Sequence, residues 1–371
     1  MQSTTLTPER VFLLGVLHSN IPSATVEEQM HELAELTRTA GGVVVASELQ
    51  RRSTVDPALF VGRGKVAEIS ERRPELNYDL LICNEELSPR QQRNLEKELG
   101  VRVIDRTDLI LDIFAQHART REGGLQVEVA RLRHWLPRLI GAYTYSRQVG
   151  GIGARGGPGE QQIELERRRV RRRMSQLERE LEEVRIHRRQ QRRRRRNSAL
   201  PLAAIVGYTN AGKSTLLNAL TGAEVRSENQ LFATLDPTTR RWKAVPGSTL
   251  LLTDTVGFIQ QLPTELVAAF RATLEEVSEA DVILQVADAT APAALQQAKT
   301  VDEVLHELEA DGKPRVVALN KMDCLGPMAQ RRAVQLLSPY YSKIVPISAL
   351  TELGLSALGS VVHEASNGLA S

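Results

Sequence analysis

Residues 207–214 read GYTNAGKS, and their surroundings restrict the fold more than any other stretch of the chain. The buried-type run LAAIV precedes them and LLNALTG, a helical segment, follows. A strand that turns through glycines into a helix is the local structure that a phosphate-binding loop requires. Gly207 and Gly212 let the backbone of Tyr208, Thr209, Asn210 and Ala211 curl so that its N–H groups face a β-phosphate, and the helix dipole adds to that attraction. Lys213 is placed to reach the β- and γ-phosphates. Ser214, with Thr215 behind it, is placed to offer a hydroxyl to Mg2+.

Three further stretches specify the nucleotide. LLLTDTVG (250–257) is an apolar strand ending in Asp254, which suits a water-mediated Mg2+ contact. Thr255, Val256 and Gly257 follow, with the Gly257 N–H directed at a γ-phosphate. VVALNKMD (316–323) is another buried strand, ending in Asn320, Lys321, Met322 and Asp323. The carboxylate of Asp323 can accept from guanine N1–H and N2–H2, a pattern adenine does not offer. The stem of Lys321 can cover the base, and Asn320 can tie this segment to the phosphate loop. In VPISAL (345–350), Ser348, Ala349 and Leu350 bring a backbone N–H to guanine O6. In this order the four stretches predict a domain that binds and hydrolyses GTP.

A polar segment, RSENQLFATLDPTTRRW (226–242), has the composition of a mobile switch. Within Phe232, Ala233, Thr234, Leu235 and Asp236, Thr234 is the choice for a second Mg2+ ligand. Thr238 and Thr239 are its rivals. Lys213, Thr234, Gly257 and Asn210 form the candidate catalytic set, Asn210 either as a holder of K+ beside the phosphates or as a residue that only shapes the loop. After Gly257 comes Phe258, where many such switches carry a glutamine that orients the attacking water. Phenylalanine makes no hydrogen bond to water, so slow turnover without a partner is expected.

The rest of the chain reads as two further regions. Residues 1–105 alternate strand and helix signals: strands at 11–17, 42–47, 78–84 and 102–105, helices at 26–40 and 87–100. This predicts a small α/β domain with a largely parallel sheet. Ser88, Pro89 and Gly100 punctuate the second helix. Residues 106–196 turn helical. In their second half Ile163, Val170, Met174, Leu177, Leu181 and Val184 form an a/d seam, which predicts an antiparallel hairpin with the 107–138 stretch. Its tip, VGGIGARGGPGE (149–160), contains six glycines. The P-loop (Ras-like) GTPase domain occupies 197–371.

Charge is uneven. The net charge is +3, yet residues 160–196 hold 15 Arg and 7 Glu, a net +8 that leaves −5 elsewhere. Such an arm suits nucleic-acid phosphates, whereas for an arbitrary protein it is a solvated face. Two cysteines without ligand spacing, no basic stretch before the first apolar run and no apolar run of bilayer length predict a cytoplasmic chain. A monomer is the simplest expectation. GRGK (62–65) lacks the spacing and the hydroxyl of a phosphate loop and reads as a turn or helix start. His117, His134 and His187 lack metal-ligand spacing, and Asp105 with Asp112 lacks catalytic company.

Taken together, FATLDPTTR, DTVGFIQQLP, ELVAAFRATLEEV and NKMD resemble the HflX-type GTPases. Upstream, ALFVGRGKVAEI, VIDRTDLILDIFAQHARTREGGLQVEVARLRHWLPRL and GGIGARGGPGE with RRRVRRRM resemble that family's amino-terminal part. The resemblance covers roughly residues 10–365. It implies switches at 232–236 and 254–257 and a partner in the large ribosomal subunit and its rRNA. It also implies separation of stalled or idle ribosomes into subunits, with turnover stimulated by ribosomes and hydrolysis controlling release. Arg155 at the tip, with Arg167, Arg168, Arg169, Arg171, Arg172 and Arg173, would meet rRNA. The family has been linked to an additional adenine-nucleotide activity in its amino-terminal domain. The tip here is one glycine longer than the family's shorter form. The alternative reading is a GTP-gated RNA-binding factor in large-subunit assembly.

Overall fold

A computed structural model of the chain describes residues 8–19, 21–149, 158–196, 200–222, 231–232, 234–235, 238–260, 274 and 276–367. By packing, these fall into two compact units, 1–116 with 124–180, and 117–123 with 181–371.

In the first unit, strands β1 (Arg10–His18), β2 (Val43–Arg52), β3 (Leu80–Cys83) and β4 (Arg102–Asp105) form one parallel sheet in the order β2-β1-β3-β4. The β1 and β3 runs are apolar on both faces because helices cover both. On one side Phe12, Leu14, Val16, Leu81, Cys83 and Val103 pack with residues of α2 (Arg63–Glu71) and α4 (Pro89–Leu99). On the other, α1 (Ser23–Thr39) comes so near β1 that a Cβ on Gly15 would lie 2.6 Å from the Met30 sulfur. A short helix, α3 (Arg73–Leu76), precedes β3. The punctuation of α4 is present as read: Ser88 and Gln91 form a reciprocal capping box, Pro89 opens the helix, and Gly100 closes it in a left-handed conformation. GRGK proves to be a helix start, with Gly62 as the N-cap of α2.

The helical stretch expected from residue 107 divides in two. Helix α5 (Arg106–His117) follows β4 directly and buries Leu109, Ile110, Leu111, Ile113 and Phe114. Helix α6 (Arg121–Val149) starts afresh where the Thr120 hydroxyl accepts the Gly123 N–H at 3.0 Å. The partner of α7 (Pro158–Arg196) is therefore α6, not the whole 107–138 stretch.

Arg133 donates to Glu178 at 2.7 Å, and Arg173 grips Glu128 at 2.8 and 3.0 Å. In that register parallel helices would separate residues 149 and 158 by about 50 Å at the rise of an α-helix. The nine steps of chain between them span at most about 32 Å. The pair is antiparallel. Along the seam Leu177 and Leu181 are buried and Val170, Met174 and Val184 half-buried. The side chain of Ile163 lies outside the described residues.

The second unit carries a six-stranded sheet in the order β10-β9-β8-β5-β7-β6. Its strands are β5 (Leu202–Gly207), β6 (Thr238–Val245), β7 (Ser248–Asp254), β8 (Val282–Asp288), β9 (Arg315–Asn320) and β10 (Ile344–Pro346). All neighbours run parallel except β6, which pairs antiparallel with β7 at the edge. Helices α8 (Lys213–Thr221), α9 (Ala294–Glu307), α10 (Pro327–Leu337) and α11 (Leu355–Asn367) are among the helices that accompany it. Ile205, Leu252, Leu284, Ala318 and Val345 share a core with Leu216 of α8 and Leu358 of α11. Because β5, β7, β8 and β9 are parallel, Gly207, Asp254, Asp288 and Asn320 all end at one edge of the sheet, where α/β folds assemble their sites. No helix among the described residues is long and apolar enough to cross a membrane.

Candidate functional site

At that edge, the loop 208–212 leaves β5 and enters α8, whose N-cap is Gly212 at φ 94°. A Cβ on Gly212 would stand 2.3 Å from the amide nitrogen of Asn320. Glycine is required there because Asn320 passes the loop at close range. Its Nδ2 donates to Ala211 O at 2.9 Å, while its Oδ1 accepts the Ala349 N–H at 2.9 Å. One buried amide thus joins the 207–214, 320–323 and 348–350 segments.

Lys213 is buried, and its Nζ donates to Tyr208 O at 2.8 Å and Gly207 O at 3.2 Å. Burial lowers its pKa to about 8, against the pull of nearby Asp254. The Asp254 carboxyl is itself buried and raised for the same reason, with Lys213 and the Ser214 and Thr234 hydroxyls opposing the rise. Ser214 Oγ donates to Asp254 Oδ2 at 2.8 Å and stands 2.8 Å from Thr234 Oγ1. Three oxygen donors, from α8, the 231–235 segment and β7, therefore converge. Thr238 and Thr239 lie instead in β6, opposite Asp254 and Thr253.

The segment after β7 runs against the phosphate loop. Thr209 N donates to Phe258 O at 2.8 Å, and Phe258 N to Gly207 O at 3.1 Å. Tyr208 Oη accepts the Gln260 N–H at 2.8 Å, a tie that nothing in the sequence signalled. A Cβ on Gly257 would sit 2.9 Å from Lys213 Nζ, so only glycine admits the ammonium so close. Thr209 Oγ1 is buried there without a hydrogen-bond partner among the described residues. The Phe258 side chain is fully buried. Thr255 and Val256 are buried too, with the Thr255 hydroxyl donating to Ile205 O at 2.7 Å.

In the 320–323 segment, Met322 is buried and its N–H donates to Ile347 O at 3.1 Å. Asp323 is exposed, and a hydrogen bond from the Ser348 side chain holds it below the usual carboxylate range. Lys321 pairs with Asp288 at 2.6 Å, a partner outside the sequence motifs. Leu350 is 78% exposed and makes no closed wall. Asn210 is exposed at φ 59°, while Phe232 and Leu235 are buried. Thr215, in the first turn of α8, is half-buried. Ala233, Asp236 and Arg155 lie outside the described residues.

On α7, Arg169, Arg171 and Arg172 are exposed and have no ion-pair partner among the described residues. Arg167 and Arg168 lean on Glu164, and Arg173 on Glu128. A second charged group, in the first unit, was invisible to spacing. His134 Nε2 lies 3.2 Å from Asp108 Oδ1 and 3.6 Å from Asp105 Oδ1. Arg138, one turn along α6, spans the same two carboxylates. Asp105, Asp108 and His134 are near enough for one metal ion, but Arg138 and a protonated His134 balance the two carboxylates without one. Asp112 pairs with Arg131 instead.

Three family models match the chain in succession. They are described as GTP-binding GTPase N-terminal over residues 27–115, GTP-binding GTPase Middle Region over 117–195, and 50S ribosome-binding GTPase over 202–321. The chain is 47% identical over 364 residues to the GTPase HflX of Alkalihalophilus pseudofirmus, covering 97% of this chain and 84% of that one. It is 46% identical over 299 residues to the GTPase HflX of Escherichia coli K12, covering 80% and 70%. Among solved structures, the crystal structure of SsGBP in complex with GDP matches with a TM-score of 0.52 and 26% identity, covering 98% of this chain and all of that one.

Proposed function

The chain belongs to the HflX family of GTPases, and from that premise we propose that its GTP cycle governs docking on the large ribosomal subunit and the separation of stalled or idle ribosomes. It binds GTP and hydrolyses it to GDP and phosphate. The observation that carries the finer reading is that Arg169, Arg171 and Arg172 on α7 are exposed and have no ion-pair partner among the described residues. They lie in a chain whose last domain matches the model of a 50S ribosome-binding GTPase. Unneutralised guanidinium groups on a long helix suit rRNA phosphates.

In this reading the buried Lys213 meets the β- and γ-phosphates, and the Gly257 N–H faces the γ-phosphate. The buried Thr209 hydroxyl, without a hydrogen-bond partner among the described residues, suits a phosphate oxygen. Ser214, Thr234 and Asp254 fit Mg2+, because hard oxygen donors converge within hydrogen-bond distance of one another. Asp254 would act through water. Bound there, Mg2+ supplies charge neutralisation for the β- and γ-phosphate oxygens. Asn210, exposed in the loop, would help hold K+. Asp323, kept anionic, reads guanine; Asn320 fixes its segment to the loop.

Phe258 leaves the site without a side chain to orient water, so hydrolysis alone is slow and the ribosome supplies the missing order. Adding ribosomes with GTP or a non-hydrolysable analogue tests the proposal. Splitting with both, and trapping of the protein on the large subunit with the analogue, is the expected result. Binding confined to immature subunits would favour the assembly role.

A further inference from the structure

The base-recognition corner has a participant that none of its motifs contains. Strand β8 ends at Asp288, directly opposite Asn320 of β9 in the parallel ladder. The two strand ends are also joined by the Ala289 N–H, which donates to Asn320 O at 2.9 Å. The two oxygens of the Asp288 carboxylate have separate tasks. Oδ1 accepts both the backbone N–H and the hydroxyl of Thr290, at 2.8 and 2.6 Å. Its rotation is thereby fixed, and Oδ2 faces Lys321 Nζ at 2.6 Å.

Lys321 is an unusual place for a long side chain. Its φ is 65°, a left-handed conformation that residues other than glycine adopt at a cost. The backbone ties on either side, at Asn320 O and Met322 N, impose that conformation. The side chain is then pinned by a carboxylate whose own side chain is only 14% exposed, so this is not a loose surface pair. A free lysine stem would have to be ordered when the base arrives, and binding would bear that entropy.

We infer that Asp288 is a positioning residue for guanine-nucleotide binding: it holds the Lys321 stem in place beside Asp323 before the nucleotide arrives. This rests on the guanine reading of residues 320–323. Asp288 touches no phosphate and takes no part in hydrolysis. Its loss raises the concentration of GTP needed and leaves turnover at saturation alone, because binding is weakened equally before and during reaction.

A double-mutant cycle on the full chain, read by fluorescent GDP titration and GTP turnover, tests it. Asp288→Asn is expected to weaken GDP about tenfold, equivalent to about 1.4 kcal/mol, and to raise KM for GTP in step with little change in kcat. In a Lys321→Met background the same change is expected to cost less than about twofold, because the group it positions is gone. Thr290→Ala, which removes one of the two hydrogen bonds that hold the carboxylate, gives a smaller loss with the same dependence on Lys321, and decides the matter should Asp288→Asn fold poorly. Full additivity with Lys321→Met, or affinities within about twofold of wild type for both variants, overturns the inference. A wild-type chain that binds no guanine nucleotide is a separate result: it removes the guanine reading and the role of Asp288 with it.

Discussion

Ser214 donates its hydroxyl proton to Asp254 across 2.8 Å, although 40 residues separate them. Lys213, next to Ser214 in sequence, lies buried within the influence of the same carboxylate. A cation and an anion are thus withdrawn from water at one spot, beside two half-buried hydroxyls. That arrangement suits a phosphate and a metal that restore the lost solvation.

The first prediction follows from the lysine. Burial brings Lys213 down from 10.5 to about 8, so the folded, nucleotide-free protein releases this proton earlier than the unfolded chain does. Stability from this group therefore rises with pH between about 8 and 10.5. Phosphate needs the ammonium form, so GDP affinity should be level below about pH 8 and fall by up to about tenfold per pH unit above it. Fluorescent GDP titrations across that range read this directly. A flat profile would remove Lys213 from the phosphates.

Specificity depends on Asp323. Asp323→Asn replaces an acceptor with a donor opposite guanine N1–H. It should cost about 100-fold or more in GTP affinity, the loss of two hydrogen bonds to a charged group, and gain binding of xanthosine triphosphate. Unchanged selectivity in competition titrations would refute the assignment.

His134 links stability to pH in the opposite sense. Although burial alone would lower it, the adjacent Asp105 and Asp108 carboxylates raise its pKa to about 9, against an ordinary value of 6.5. Its contribution is complete below about pH 6.5 and is lost as pH rises through about 9. His134→Gln should flatten that part of the profile in urea unfolding. Arg138→Met, which removes one of the two cationic partners of the buried Asp105, should destabilise by about 3–5 kcal/mol.

On the arm, partnering separates the arginines. Replacing Arg169, Arg171 and Arg172 with Gln should weaken large-subunit binding and reduce its salt slope by about 0.7–0.9 for each phosphate no longer neutralised. Arg173→Gln should do less, because Glu128 already neutralises that charge at 2.8 Å. Sedimentation with large subunits at several salt concentrations separates the two cases.

The phosphate loop was legible because a local pattern, strand then glycine turn then helix, is both its structure and its signature. Asn320 was legible for a related reason: its motif implies a tie to that loop, and the amide makes it. Thr234 could not be told from Thr238 and Thr239 by sequence, since the register that draws the latter two into β6 is set by β7. The break between α5 and α6 was missed because apolar periodicity resumes beyond it, while a single threonine cap marks the restart. His134 read as isolated, because only the return of α6 past the end of β4 brings it to Asp105. Asp288 was missed likewise, although VILQVAD, an apolar strand ending in a carboxylate, offered a signal.

Phe258, fully buried and bonded through its backbone to the phosphate loop, is the residue on which the proposed dependence on the ribosome rests. The most direct test is the rate of GTP turnover in K+ buffer with and without large ribosomal subunits. A slow basal rate strongly stimulated by subunits is the expected result. Fast turnover unmoved by ribosomes would mean that the chain positions its own water, and would contradict a site completed by the ribosome.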